Sequence, residues 1–365
     1  MAERGRRDLV VVGGGPAGLA VAAAAAARGL EVLLLERGSL PADKACGEGL
    51  LPAGVRALEA LGALALLPPE ERAPLRAIRW IDASGATAEA RFPGEGGLGV
   101  RRTALSAALL ARARAAGVEV RERTPAVSHR RGPSGVEVAT PSAVERAALL
   151  VAADGLSSPI RVREGLDRPV GGVQRFGVRR HFGVAPWTDA VEVWFGEGLE
   201  AYVTPCGPRR VGVALLHEAS ARSSFGEMLE RFPALRARLG RAPFASAQAG
   251  AGPLQREASA RIRDRLVLLG DAAGYVDAIT GEGLSLALES ALELGRALPG
   301  ALARGAGEAA LAPWERATAR RFRVYAARTR FVLGLARRPE ARRRVLSAAA
   351  RHPRALARLV SWAVG

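Results

Sequence analysis

The feature that most restricts how this chain can fold is the decapeptide VVGGGPAGLA, residues 11–20. It follows an apolar run from Leu9 to Val12 and opens an alanine-rich stretch from Ala17 to Arg28. Gly13, Gly15 and Gly18 stand in G-x-G-x-x-G register. The first glycine allows a tight turn, the second lets a pyrophosphate reach the backbone, and the third lets helix and strand pack closely. Pro16 and Ala17 suit a helix start, and the N-terminus of that helix attracts phosphate charge. A second strand, VLLLE, ends at Glu36, where a carboxylate beside Arg37 can accept ribose hydroxyls. Residues 1–37 therefore read as a βαβ unit that binds a dinucleotide.

Alternating helix and strand signals continue to residue 165, with a helix from Thr103 to Ala116 and a strand, ALLVAAD, ending at Asp154. They resume with LVLLG, Leu266 to Gly270, and a helix from Gly283 to Leu298. This alternation predicts a parallel sheet. Short strands broken by Gly, Pro and Asp fill the intervals, and they predict an antiparallel second lobe. In AVEVWFG, Val191, Val193 and Phe195 are expected to face a core, with Glu192 and Trp194 facing water or a cavity. The expected layout is a discontinuous nucleotide domain (1–75, 94–168 and 249–312), a β-rich substrate domain (76–93 and 169–248) and a helical C-terminal segment (313–365).

The motifs also resemble those of a known superfamily. RLVLLGDAAGYVDAITGEGLSLALESA, residues 265–291, is similar to the GD box of flavoproteins of the glutathione-reductase and para-hydroxybenzoate-hydroxylase class. AADGLSSPIR resembles the DG motif of the same hydroxylase-like superfamily, and GVRRTALSAALLARA matches its arginine-led helix. The resemblance implies an α/β fold: a Rossmann-like FAD domain of the GR2 type, an antiparallel β-sheet substrate domain and a C-terminal helical tail. It implies that Gly270 and Asp271 bind the ribityl chain of FAD and that Gly281, Glu282 and Gly283 face the flavin pyrimidine. Asp154 and Gly155 would lie near the pyrophosphate, Arg161 would anchor their loop, and Arg102 would contact FAD. After Glu36, LPADKACGEGL resembles the geranylgeranyl-reductase group in its PxxKxCG core. That loop would run beside the flavin ring, making Lys44 and Cys46 the candidate catalytic residues. The tryptophan-centred motif of flavin halogenases is absent, which argues against halogenation.

The leading expectation is a flavin monooxygenase that uses NAD(P)H and oxygen to hydroxylate a small hydrophobic aromatic or polyketide-like molecule. An FAD-dependent double-bond reductase of the geranylgeranyl-reductase type is the near rival, and a non-catalytic flavin electron carrier the third reading. There is no second G-x-G-x-x-G, so NAD(P)H would bind without its own Rossmann domain. The formal net charge of +17 suggests a polyanionic partner. Lys44 is the only lysine, however, and asparagine is absent. A bias toward arginine explains much of the excess, and no basic stretch is interleaved with aromatics, so no nucleic-acid partner is expected. His129, His181, His217 and His352 are scattered. Cys46 and Cys206 lack metal-like or disulfide spacing, so no metal is expected and the cytoplasm fits best. In the tail, Phe331, Leu335, Val345, Leu356 and Leu359 are expected to pack onto the body. The alternative is peripheral contact with the inner membrane surface, with Trp362 at the interface. Pro339 and Pro353 leave pieces too short to span a bilayer. The oligomeric state is left open.

Overall fold

The computed structural model describes residues 6–219 and 223–352. Strand Arg7–Val12, helix Pro16–Ala26 and strand Val32–Leu35 form the expected opening unit. Five parallel strands run in the order Leu266–Leu268, Val144–Ala152, Arg7–Val12, Val32–Leu35, Glu119–Arg121. An antiparallel strand, Ile262–Arg263, pairs at one side, and the hairpin Ser128–Gly132 and Gly135–Ala139 extends the outer half of Val144–Ala152. The central strands are buried on both faces, as parallel sheets require.

The alanine run makes helix Pro16–Ala26 thin, and its neighbours come close. A Cβ on Gly295 of helix Gly283–Ala303 would lie 2.5 Å from that of Ala24. That long helix passes through Pro299, beyond the predicted end at Leu298, because Leu298 and Ala301 both remain in the core. Helix Arg102–Ala115 packs on the same face.

The second lobe is a seven-stranded sheet in the order Ala249–Ala251, Arg175–Phe182, Val211–Glu218, Leu199–Pro205, Ala190–Phe195, Ala77–Asp82, Thr87–Arg91. It is antiparallel except where Ala77–Asp82 runs parallel to Ala190–Phe195. The expectation that Glu192 and Trp194 face water or a cavity is corrected, since strand Ala190–Phe195 is buried throughout. Helices Phe225–Glu230 and Pro233–Leu239 cover the outer face, with Trp194 in their apolar cluster. Glu192 is neutralised there by Arg79 and Arg238, both at 3.0 Å. These helices are too short to carry a strong periodic signal.

The tail comprises helices Glu308–Ala336 and Pro339–Arg351. Ala336 and Leu346 are its buried apolar contacts with the sheet cluster, whereas Phe331 and Val345, expected to pack, are exposed. On the last helix the cationic Arg342 takes the inward position instead, 2.5 Å from Asp82 and 5.0 Å from the Phe195 ring centre. Pro353, Leu356, Leu359 and Trp362 lie outside the described residues.

Candidate active site

The glycine turn ends strand Arg7–Val12 against the strand bearing the DG motif. A Cβ on Gly13 would meet the Ala153 carbonyl oxygen at 2.3 Å, and one on Gly18 would meet that of Gly13 at 1.9 Å. Neither site admits a side chain without moving backbone. Gly15 differs: a Cβ there meets nothing within 4 Å, so the space above it is left for a ligand. Glu36 is buried, accepting hydrogen bonds from Gly14 N at 2.6 Å and Gly38 N at 2.9 Å. Two backbone amides thus fix both oxygens and leave further lone pairs for ribose hydroxyls. Arg37 is exposed beside it.

A cleft runs from this turn to the seven-stranded sheet. One wall carries Gly15, Pro16, Ala17, Gly155, Gly270, Asp271, Gly281 and Gly283, and the loop bearing Lys44 and Cys46 forms a second. The sheet supplies an apolar third wall that includes Ile78, Val191, Tyr202, Ala214 and Leu216. Gly270 has φ +62° and sits against Ala17, so the GD turn and the first helix meet directly. Arg161 is buried and ties the turns together, donating to the Leu156 carbonyl at 2.8 Å and the Ala272 carbonyl at 3.1 Å.

Two acids expected at the cofactor also make contacts within the protein. One Asp154 oxygen accepts from Ile160 N at 3.3 Å in the short helix Pro159–Arg163, the other is buried without a hydrogen-bond partner among the described residues, and Gly155 lines the cleft. Glu282 lies between two lining glycines, but its carboxylate points to Arg328 of the tail helix, 3.8 Å away. Burial pushes the Glu282 carboxyl up to about 8, against the pull of Arg328.

At the cleft mouth Lys44 keeps solvent access, yet partial loss of water lowers its ammonium pKa, opposed by Glu36 and Asp271. Burial pushes the Cys46 thiol up, with Arg102 opposing, so it is a protonated thiol at neutral pH. Burial also pushes Asp271 up, countered by Arg102 and Lys44.

Sequence reasoning missed the support of this loop. Glu48 is buried with φ +59°, a strained conformation for a residue with a side chain. Its carboxylate accepts from Arg101 and from Arg102 N at 2.8 Å each, and pairs with His181 at 2.5 Å. Burial opposes ionisation, but His181 and Arg101 outweigh it and hold the Glu48 carboxyl below the usual range. Arg179 adds a bond to Asp43 and another to the Lys44 carbonyl. The Lys44–Cys46 loop is thereby clamped to the substrate sheet. Of the four scattered histidines, His181 is the one built into this clamp.

A family model described as "FAD binding domain" matches residues 6–331. The chain belongs to this FAD-binding family. Digeranylgeranylglycerophospholipid reductase 2 of Methanothermobacter thermautotrophicus is 31% identical over 316 residues, covering 82% of this chain and 79% of the relative. A menaquinone reductase of Mycolicibacterium smegmatis is 43% identical over 89 residues, which is 24% of this chain and only 21% of that protein. The crystal structure of a geranylgeranyl bacteriochlorophyll reductase-like protein from Thermoplasma acidophilum superposes with a TM-score of 0.78 at 20% identity, covering 94% and 90% of the two chains.

The cleft of this FAD-binding protein fits the cofactor on its own geometry. The space over Gly15 suits a pyrophosphate, Glu36 a ribose, and Asp271 the ribityl hydroxyls. The Arg102 guanidinium lines the cleft with its buried Nη1 unpartnered among the described residues, as a donor awaiting an acceptor would be.

Proposed function

We propose that this FAD-dependent oxidoreductase reduces carbon–carbon double bonds in a hydrophobic, isoprenoid-like molecule, with NAD(P)H as the external electron donor. The observation that carries this reading is the junction in the cleft: a protonated thiol, Cys46, stands between the FAD-cradling glycines and an apolar wall. Bound FAD, once reduced by NAD(P)H, would supply the hydride equivalent and return to its oxidised form. Saturating a double bond also needs a proton, and Cys46 is a proton source on the loop that closes the cavity. Ile78, Val191, Ala214 and Leu216 would hold an unsaturated chain by area burial without orienting a polar group. Glu48, His181 and Arg179 would keep the loop in place, while Lys44 would favour negative charge at the mouth.

The hydroxylation expected from sequence would use the same cofactor and cavity. Similarity to a prenyl-lipid reductase over most of both chains favours reduction instead, and hydroxylation does not require the thiol. An electron carrier would have no use for the apolar wall. Cys46→Ala tests the proposal. The variant should bind FAD normally but reduce substrate about 10²-fold or more slowly, and in deuterium oxide the wild-type product should carry solvent deuterium. Unchanged turnover in Cys46→Ala would remove the thiol from the reaction.

A further inference from the structure

A second concavity lies behind the GD turn, on the side of the tail helix. Its volume is about 560 Å³, and Arg256, Arg261, Arg316, Arg320, Arg323 and Arg330 line it. Four of these recur at intervals of four, three and seven residues along helix Glu308–Ala336, which places them on one face. Like charges at such spacings oppose one another. Two carboxylates stand near. Glu257 lines the basin but reaches out to Arg168 at 3.4 Å, and Glu315 accepts a bond from the Arg261 backbone at 3.2 Å. Among the described residues none of the six arginines has a carboxylate within 4.0 Å, so a concave surface here gathers six guanidinium groups with no acid to balance them.

The basin has an aromatic floor. The Arg261 guanidinium lies 4.7 Å from the Phe322 ring centre, and Tyr275 lines both the basin and the flavin cleft. A concave set of unpaired guanidinium groups matches the oxygens of a phosphate ester, which offers several acceptors and up to two charges. We propose that this basin is a binding site for a phosphate-bearing molecule, held by Arg261, Arg316, Arg320 and Arg323 with the remainder of the molecule against Phe322 and Tyr275. The proposal is independent of whether the flavin cleft reduces or hydroxylates. Two sources share this chemistry, a phosphorylated nicotinamide dinucleotide and the phosphate headgroup of a lipid.

Inorganic pyrophosphate is the probe, titrated calorimetrically into the FAD-loaded full-length protein and into the double variant Arg320→Gln/Arg323→Gln. The site predicts saturable, salt-sensitive binding that weakens at least about tenfold in the double variant, with FAD content and thermal midpoint unchanged. Competition then identifies the source: displacement of pyrophosphate by NADPH but not NADH assigns a dinucleotide phosphate, and displacement by a short-chain phosphatidic acid assigns a lipid headgroup. Absence of saturable binding, or equal binding in wild type and double variant, overturns the site.

Discussion

Gly15 and Gly18 stand three residues apart in one turn, yet the structure gives them different work. Gly18 keeps backbone apart from backbone, and its Cβ would fall 1.9 Å from the Gly13 oxygen. Gly15 faces open space. Gly18→Ala should therefore destabilise the fold, by about 2 kcal/mol or more on the scale of overpacking. Gly15→Val should leave the apoprotein's melting near that of wild type while abolishing the flavin absorbance. Paired thermal melts and flavin spectra check this, and full FAD occupancy in Gly15→Val would be inconsistent with the assigned pyrophosphate path. Glu282 gives a pH dependence whose sign follows from burial. Its folded pKa of about 8 lies above the unfolded value, so the folded state keeps a proton that the unfolded state releases. Stability is lost as pH rises from the unfolded pKa toward 8, by at most about 5 kcal/mol in total. Glu282→Gln removes the titration, so its advantage over wild type in urea melts should grow between pH 5 and pH 8. Parallel curves would contradict the assigned environment.

Elements are held together by a few buried polar ties. Arg175 joins the substrate sheet to the GD loop, 2.5 Å from Glu200 and 3.0 Å from Asp277. Tyr325 of the tail helix donates to the Asp277 carbonyl at 2.9 Å, holding the loop from behind. Helix Pro339–Arg351 is docked by Arg342 and Leu346. Arg342→Ala would leave Asp82 buried with only Ser84 to support its charge, a loss of about 3 kcal/mol for half of a buried pair. Urea denaturation measures it, and a change below about 0.5 kcal/mol would show the helix to be docked by other means. What was legible in the sequence divides along these lines. The glycine turn and Glu36 were readable because they fall within one βαβ unit whose backbone geometry leaves little choice, and the GD box because its residues run together in a motif that resembles a known superfamily. The Glu48–His181 pair spans 133 residues, and no local period or spacing announces it. The covering of Glu192 by two short helices was hidden for the same reason, as was the turning of Glu282 toward the tail.

Across the whole molecule, the three parts converge on one cleft. The parallel sheet delivers its strand ends and glycine turns to it, the seven-stranded sheet closes it with apolar side chains, and the tail braces the GD loop from the far side. Among the described residues no helix is long and apolar enough to cross a membrane. We propose that a lipid-soluble substrate reaches the cleft from a membrane surface through the cationic tail, and salt-sensitive flotation with anionic vesicles is the corresponding assay. The excess positive charge is not uniformly spent on ion pairs, and the basin beside Tyr275 gathers six arginines in one concavity. Double-bond reduction is tested most directly under nitrogen. The FAD-loaded protein, reduced with dithionite, is incubated with a digeranylgeranylglycerol phospholipid, and the products are weighed by mass spectrometry. Reduction yields products that have gained pairs of hydrogens in the absence of oxygen. No product under nitrogen, together with incorporation of isotopically labelled oxygen in air, would contradict it.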